Sequence, residues 1–337
     1  MKVIAGLATL VAALVLAGCG GGDSKSGKLT VYSGREEELV QPLFDMFEKK
    51  TGITVDVRYG DSAELAATIA EEGGNSPADV FFSQDPGSLG AVDDELEQLP
   101  QETLDRVAAR FRDAGGRWVG TSGRTRVLAY NTDALTEDQV PDSVFDLTDP
   151  RWQGKVGIAP TNASFQAFVT AMRLSAGEEK TKQWLIDLRK NKPKTYEKNT
   201  PIVEALATGE IELGLVNHYY LYLVKGEQPN APIANHFLAA GDPGALVSVA
   251  GAGVLASAEH PDAAEQFVAF LLEDEQQRFY TDEAEEAEIP LVEGLAPKAG
   301  VPTLAELSGR GPNVDLSSFG AELERTLELL NETGYTS

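Results

Sequence analysis

The sequence predicts an α/β protein with a mainly parallel sheet, divided into two domains. Segments with strand-like alternation are followed by segments with helical spacing and then by further strands, an order typical of layered α/β folds. The same order returns after the middle of the chain. The length of 337 residues exceeds one typical domain, and a hydrophobic content of 42% is sufficient to fill two cores.

The first half of the chain contains three predicted strands and two predicted helices. Residues 28–34 alternate apolar and polar side chains and end in Ser-Gly, which predicts a strand and then a turn. Residues 40–47 carry apolar side chains at helical spacing, and Pro42 indicates that this helix begins close before it or is kinked there. The remaining elements are a strand at 53–57, a helix at 63–72 and a buried strand at 78–82.

The second half repeats the alternation. A strand at 155–159 precedes a helix from about residue 165 to 174, and a short strand at 214–216 follows later. Thr200 is expected to cap a helix at 200–208 that has Pro201 in its first helical position. Residues 261–279 are amphipathic throughout and predict one long helix.

The N-terminus has the features of a secretory leader. Lys2 precedes an apolar run at 3–17 that is shorter than the about 20 residues of a membrane span. The run ends in Leu-Ala-Gly-Cys, which resembles a bacterial lipobox. We expect a signal peptide at 1–18, lipidation of Cys19, and a flexible linker at 19–27 that holds the body on the extracytoplasmic side of the cell membrane. The alternative, a buried apolar cysteine, is disfavoured by the Gly- and Ser-rich segment that follows.

The composition excludes several classes of function. Cys19 is the only cysteine, so neither an internal disulfide nor a cysteine metal cluster can form. The formal net charge of -25 makes nucleic acid and anionic lipid surfaces poor partners. No Gly-x-Ser-x-Gly, His-Glu-x-x-His or phosphate-loop motif is present, and we expect no enzymatic activity. The acidic runs at 273–275 and 282–288 are expected to be solvated surface.

Several longer segments resemble the bacterial ferric-ion-binding proteins, which are type II periplasmic solute-binding proteins. The segment at 199–220 is the most specific, since it contains Thr-Gly-Glu-Ile and ends in Asn-X-Tyr-Tyr. The other similar segments are 29–34, 47–53, 76–81, 122–126, 149–155 and 160–161.

The resemblance implies a type II periplasmic binding protein fold, with two α/β lobes joined by crossing strands and a ligand cleft between them. It places one lobe at 28–125 plus 250–300 and the other at 126–249 plus 301–337. It also implies a monomeric receptor that binds ferric iron, closes around it and delivers it to an ABC permease in the cytoplasmic membrane.

Tyr219 and Tyr220 are the strongest candidates for iron ligands. Ferric iron prefers anionic oxygen ligands. A free phenol has a pKa near 10, and a bound cation stabilises its ionised form. In the resemblance this pair matches the family's ferric-binding tyrosines; the alternative is an aromatic pair that packs a core. For Tyr222 packing is the default, and His218 is interpreted as an orienting or surface residue.

The first lobe departs from the family's pattern. Glu36 and Gln84 stand where the family places a histidine and an acidic ligand, and Asp85 is a candidate substitute for the neutral Gln84. A Glu36 carboxylate suits a trivalent cation. The spacing from Ser33 to Glu36 also matches a capping box, in which Glu36 would accept from the Ser33 amide.

A synergistic anion, phosphate or carbonate, completes the metal coordination in many family members. The resemblance places it at Asn162, Ala163 and Ser164, where a helix start offers free amides. Side-chain donors would be Asn199, Asn217 and Arg126. The alternatives are that Asn162 is only a helix cap and that Arg126 pairs with an acidic group.

The departures in the first lobe leave a second function open. The same receptor fold would then bind an organic or anionic solute such as a phosphonate, a sugar phosphate or a polyamine. The paired tyrosines and the asparagines favour ferric iron.

Overall fold

The structure is a computed structural model that describes residues 27–283 and 287–336. The predicted signal peptide at 1–18, the lipidation site Cys19 and the linker as far as residue 26 lie outside the described residues. Within the described ranges, no helix is long and apolar enough to cross a membrane.

The described part of the chain contains nine strands, which form a single hydrogen-bonded sheet. The strands are β1 (Lys28–Ser33), β2 (Thr54–Tyr59), β3 (Val80–Ser83), β4 (Trp118–Asn131), β5 (Val156–Ile158), β6 (Lys194–Thr195), β7 (Leu213–Asn217), β8 (Ile233–His236) and β9 (Val247–Val254). Their order is β2-β1-β3-β9-β4-β7-β5-β6, and β8 also pairs with β4.

Helices pack against the strands in both halves of this sheet. They are α1 (Glu37–Thr51), α2 (Ser62–Glu72), α3 (Pro86–Gly90), α4 (Gln101–Leu104), α5 (Ala163–Ala176), α6 (Glu178–Lys190), α7 (Asn199–Ala207), α8 (Tyr220–Glu227), α9 (Pro261–Leu271), α10 (Asp274–Arg278), α11 (Leu304–Ser308) and α12 (Phe319–Glu332). Short 3-10 turns connect several of them, and a π-helical turn spans Phe279–Glu283.

The α/β class is confirmed, but the sheet is only half parallel. β1 runs parallel to β2 and β3, and β5 runs parallel to β6 and β7. β4 and β9 run antiparallel to their neighbours. Strand–helix–strand units produce the parallel pairs, whereas β4 and β9 pass between the two lobes and therefore oppose the strands beside them.

β4 is the main connection between the lobes. All fourteen of its residues are buried. Its first part, through Thr125, pairs with β9, and its second part, from Arg126, pairs with β7. The change of partner falls where the sequence analysis places the lobe boundary. The exact division into moving bodies stays a prediction.

The apolar spacing of α1 is explained by its packing in the first lobe. Phe44 and Phe47 are buried, and their ring centroids lie 5.5 and 5.1 Å from that of Phe267 on α9. Gly52, with φ of 74°, ends the helix by donating from its amide to the Glu48 carbonyl. Pro42 lies in the second turn, so the helix begins close before it, as one of the two alternatives has it.

Two helix predictions are corrected. The predicted helix at 261–279 is interrupted at Leu272. The side-chain Nε2 of Gln277 donates to the Leu271 carbonyl at 2.9 Å, at the end of α9, and to the β4 carbonyl of Thr121 at 2.6 Å. The cap of α7 is Lys198, not Thr200. Pro201 remains in the first turn, where amides have no intrahelical partner.

α12 contacts both lobes. Thr326 lies 2.7 Å, Oγ1 to Oγ1, from Thr170 on α5 of the second lobe. At the other end, Gly320 lies directly on the backbone of Gly90 in α3, which follows β3 of the first lobe. A Cβ at Gly320 would lie 2.2 Å from the Gly90 carbonyl carbon, so this contact requires glycine.

Candidate functional site: a tyrosine pair at the interlobe cleft

The paired tyrosines lie where β7 passes into α8. Tyr219 precedes the helix in a helical conformation, and Tyr220 is its first residue. Both side chains are 0% exposed, and their ring centroids lie 4.3 Å apart with an interplanar angle of 31°. The tyrosines are buried because they follow closely after β7, an internal strand whose five residues are all buried.

The Tyr220 hydroxyl is bonded across the cleft. Gln84 Nε2 donates to it at 3.1 Å, and Gln84 follows β3 in the first lobe. Gln84 is itself buried. The structure therefore brings together two of the residues that the sequence singles out as candidate ligands, one from each lobe.

The Tyr219 hydroxyl is in a different position. It is buried and makes no well-formed hydrogen bond among the described residues, although the Tyr220 hydroxyl lies close enough to lower its pKa. An unsatisfied buried hydroxyl costs about 1–3 kcal/mol, a cost that a bound ligand or an ordered water would offset. This orphaned oxygen fits a site that is completed by a ligand.

Both phenols are protonated at neutral pH without a bound cation. Burial raises the pKa of Tyr219, and the nearby Arg124 guanidinium only partly opposes this effect. Burial raises the pKa of Tyr220 further above its usual value, and the neighbouring Tyr219 adds to the effect. A metal ion at the pair would have to displace these protons, as metals do at other protonated ligands.

Glu36 does not form the capping box. It occupies the cap position of α1, but its side chain makes no capping hydrogen bond, and Ser33 bonds to Arg35 instead. Burial raises the pKa of the Glu36 carboxyl, against the opposing effects of Lys198 and Arg35. Its carboxylate makes no hydrogen bond or salt bridge within the described part of the chain, so it is available to a ligand.

A cavity of about 400 Å³ opens beside these groups. Gln84 and Glu36 line it from the first lobe, and Asn162 and Lys198 line it from the second. Four further acidic residues line it: Glu37, Glu38, Asp61 and Glu64. The cavity thus contacts the two first-lobe candidates and the anion-site residue Asn162, whereas Tyr219 and Tyr220 are not among its lining residues.

Asp85 is placed differently from the other candidates. Its two carboxylate oxygens accept from the amide and the hydroxyl of Ser88, at 3.0 and 2.8 Å, and so cap α3. It is buried and does not line the cavity. This geometry favours a structural cap over a metal ligand, and Gln84 remains the residue of this loop that faces the tyrosines.

The predicted anion-binding residues form one buried cluster. Asn162 is the cap of α5, as the alternative proposed, and its Oδ1 accepts from the Ser164 amide at 3.1 Å. Ala163 is the first residue of the helix. Asn199 Nδ2 donates to Asn162 Oδ1 at 3.1 Å and to Ser164 Oγ at 3.3 Å. The Nδ2 of Asn217 has no partner within the described ranges.

Arg126 lies at the centre of this cluster. Its Nη1 donates to Ser164 Oγ, Asn199 Oδ1 and Asn217 Oδ1 at 3.2 to 3.3 Å, and its Nη2 donates to the Leu215 carbonyl. The alternative of an acidic partner is wrong, since Arg126 forms no salt bridge with any described residue. Burial lowers its pKa to about 9, which leaves the guanidinium charged at neutral pH. A buried cation without a carboxylate suits an anionic ligand.

Sequence reasoning missed a buried charge cluster beneath Tyr219. Glu288 was expected on a solvated surface, yet it is 0% exposed. Its Oε1 accepts from Arg124 Nη2 at 2.6 Å and its Oε2 from Arg35 Nη2 at 3.1 Å. Burial alone would raise the pKa of Glu288, but the two guanidinium groups hold it below its usual value. An acidic run gives no signal for such a residue, because its partners are distant in the chain.

His218 is buried and is not a surface residue. Its Nδ1 accepts from the Thr125 amide at 3.3 Å, so its Nε2 carries the proton and donates to the Ala287 carbonyl at 2.6 Å. Burial lowers the pKa of His218 to about 4. Both ring nitrogens are occupied, which is consistent with an orienting role and not with metal binding.

Among the described residues, no group of three or more His, Cys, Asp and Glu side chains is arranged to hold a metal ion. Tyrosine and glutamine are not among these residue types. The candidate ligands named above, Tyr219, Tyr220, Glu36 and Gln84, contribute only one carboxylate.

Comparisons with known proteins match this geometry to a family. Residues 75–302 match the model of the bacterial extracellular solute-binding proteins. The "Major ferric iron-binding protein" of Neisseria meningitidis serogroup B is 35% identical over 312 residues, which cover 91% of this chain and 92% of that protein. The "Fe(3+)-binding periplasmic protein" of Serratia marcescens is 33% identical over 97% of this chain and 96% of its own length.

A solved structure shows the same architecture. Iron-bound HitA from Pseudomonas aeruginosa superimposes with a TM-score of 0.86 at 35% identity, covering 91% of this chain and 99% of that chain. The fold predicted from the sequence, two α/β lobes with crossing strands and a cleft, is thereby confirmed. The chain belongs to the bacterial extracellular solute-binding proteins, among relatives that are named as ferric iron-binding proteins.

Proposed function

We propose that this chain is the extracytoplasmic receptor of an ABC importer, that it binds ferric iron in the interlobe cleft, and that it has no enzymatic activity. The observation that carries the proposal is the buried pair of tyrosine hydroxyls: that of Tyr219 makes no well-formed hydrogen bond among the described residues, and that of Tyr220 accepts from Gln84 across the cleft. The names of the relatives and of the solved structure support the choice of iron.

The proposed ligand set balances the charge of the ion. Two phenolates, Tyr219 and Tyr220, and the Glu36 carboxylate together carry three negative charges, which match Fe³⁺. All three are hard oxygen donors of the kind this ion prefers. Gln84 would contribute a neutral amide oxygen after releasing its bond to Tyr220. Asp85 is left out, because both of its oxygens already cap α3.

An anion, phosphate or carbonate, would complete the coordination from the second lobe. The charged Arg126 guanidinium and the unpartnered Asn217 Nδ2 are the donors available to it. Ala163 and Ser164 begin α5 in the same cluster; the Ser164 amide and the Asn199 side chain already donate to Asn162 and would have to release these bonds to reach an anion. Helix N-termini favour anions because of their free amides and the helix dipole.

The transport cycle follows from this arrangement. Iron would bind first to the lobe that carries both tyrosines, and closure would bring Glu36 and Gln84 onto the ion from the other lobe. The closed, monomeric form would then dock on a permease in the cytoplasmic membrane. The lipidated Cys19 would keep the receptor near that permease.

A second candidate, binding of an organic or anionic solute, is favoured by one observation. The Arg126 cluster and the cavity of about 400 Å³ offer more room and more donors than a bare ion needs. A phosphonate or a sugar phosphate fits this chemistry better than a polyamine, since the buried guanidinium is cationic.

Equilibrium binding with a panel of solutes tests the proposal. The purified protein is dialysed against ferric citrate, divalent metal ions, inorganic phosphate, a sugar phosphate and a polyamine. We expect one ferric ion per chain, retained against excess citrate, and no comparable retention of the other solutes. Retention of a sugar phosphate in iron-free buffer, with no retention of ferric iron, would support the second candidate instead.

A further inference from the structure

The buried cluster beneath the tyrosines has no part in the ligand set proposed above. We propose that Glu288 is a positioning residue of the ferric site, which fixes Tyr219 by holding Arg124 against its ring and by anchoring the segment to which His218 is bonded. The inference rests on the proposed function, since it concerns the geometry of the same site.

The first step is the contact between Arg124 and Tyr219. The guanidinium carbon lies 5.7 Å from the centroid of the Tyr219 ring. Arg124 also donates from Nη1 to the Gln84 carbonyl. One side chain on β4 therefore touches a candidate ligand residue from each lobe.

The second step is the orientation of Arg124. The Glu288 carboxylate lies between two arginines, and all three side chains are at least 98% buried, since their exposed fractions are 0% for Glu288, 1% for Arg124 and 2% for Arg35. Without this carboxylate, two guanidinium groups would face each other in a buried space. Electrostatic repulsion would move Arg124 away from its present contact with Tyr219.

The third step is the backbone that carries Glu288. Ala287 accepts from His218 Nε2, and His218 directly precedes Tyr219. Ile289 exchanges two backbone hydrogen bonds with Gly123 of β4, at 2.7 and 2.8 Å. The segment at 287–289 is thus tied to the crossing strand and to the turn that presents Tyr219.

Through these contacts Glu288 acts on Tyr219, a candidate iron ligand that it does not itself touch. The Tyr219 hydroxyl makes no well-formed hydrogen bond among the described residues to fix it. Its position is therefore set by what packs on its ring and on its neighbouring residue. Outer-shell groups that orient metal ligands change metal affinity by about 10–100-fold when they are removed.

The test is a ferric titration of three full-length proteins: the wild type, Glu288→Gln and Glu322→Gln. The last is a matched control, because Glu322 Oε2 also accepts from a largely buried arginine, Arg173, at 2.9 Å but lies on α12 away from the tyrosines. Affinity is measured by competition with citrate, and the iron-tyrosinate charge-transfer band is recorded at saturation.

For Glu288→Gln we expect ferric affinity lowered at least about tenfold and a displaced absorption maximum. Glu322→Gln should retain the wild-type affinity and maximum even if it unfolds at a lower temperature. Wild-type affinity and maximum in a folded Glu288→Gln variant would overturn the inference and assign Glu288 a structural role only.

A second variant covers the case in which Glu288→Gln does not fold. The double variant Arg124→Met, Glu288→Gln keeps the net charge of the cluster, because one positive and one negative charge are removed together. The same loss of affinity is expected, and unchanged binding would again overturn the inference. Absence of the band in the wild type would instead contradict the proposed function, so the two failures are distinguishable.

Discussion

Gln84 Nε2 donates a hydrogen bond of 3.1 Å to the hydroxyl of Tyr220, a residue 136 positions later in the chain. This bond joins the two lobes at the point where we propose that iron binds. The resemblance to the ferric-ion-binding proteins predicts an acidic ligand at position 84, where this chain has a neutral amide. The residue at 84 is therefore a sensitive place to change ferric affinity.

Gln84→Glu should bind ferric iron more tightly than the wild type. The substitution places an anionic oxygen where a neutral amide stands, and a charge-assisted contact would increase the affinity by about tenfold or more. Competition with citrate measures the change. The control is Gln98→Glu, which adds the same charge at an exposed glutamine. Equal affinity for Gln84→Glu and the wild type would exclude this side chain from the coordination shell.

Ferric affinity should increase in the presence of phosphate or carbonate, and Arg126→Met should remove the increase. The wild-type guanidinium is buried without a carboxylate, so a bound anion would neutralise it. Competition titrations with and without each anion give the ratio of affinities. Arg151→Met, at an exposed arginine, is the control. An anion effect that persists in Arg126→Met would place the anion elsewhere.

The metal-free protein should lose stability in acid through His218. The unfolded chain takes up a proton near pH 6.5, whereas burial lowers the pKa of the folded residue to about 4. Protons therefore favour the unfolded state. The contribution is present above pH 6.5 and is lost as the pH falls to 4, by about 3 kcal/mol.

Urea unfolding of the wild type and of His218→Gln at several pH values isolates this effect. Glutamine can retain one acceptor and one donor but does not titrate. The difference in the free energy of unfolding between the two proteins should change by the stated amount over this pH range. A constant difference would mean that His218 has the same pKa in the folded and unfolded states, which would contradict the effect of burial.

Gly320→Ala should destabilise the protein by about 1–3 kcal/mol, because the added methyl group would overlap with the backbone of Gly90. Gly74→Ala is the matched control. A Cβ at Gly74 meets no atom within 4 Å, and its φ is not positive. Thermal unfolding of both variants checks the prediction. Equal unfolding temperatures for Gly320→Ala and Gly74→Ala would show that α3 and α12 can move apart without loss of stability.

Local signals in the sequence identified much of this site. Asn217, Tyr219 and Tyr220 lie close together in the segment at 199–220, and the resemblance of that segment to the ferric-ion-binding proteins singled them out. The cap at Asn162 was likewise visible, because an asparagine before an apolar helix has a clear local role. The structure then places Asn199 and Arg126 beside it.

Long-range contacts account for the errors. Glu288 lies in an acidic run that is typical of surfaces, and only the fold brings Arg35 and Arg124 to its carboxylate. The helix at 261–279 is broken at Leu272, and the Gln277 side chain that follows reaches β4, a contact that periodicity cannot indicate. Capping also depends on context, since Ser33 bonds to Arg35 and leaves Glu36 free to face the cleft.

The central claim is that both tyrosines bind ferric iron as phenolates. Burial raises the pKa of both hydroxyls, so iron must displace their protons, and binding should weaken as the pH falls. The most direct measurement is a visible spectrum of the protein during titration with ferric citrate, beside Tyr219→Phe, Tyr220→Phe and the neighbouring control Tyr222→Phe. We predict a tyrosinate-to-iron charge-transfer band in the wild type and in Tyr222→Phe that is lost in the other two variants. A band that is absent from the wild type, or that survives unchanged in Tyr219→Phe and Tyr220→Phe, would contradict the claim.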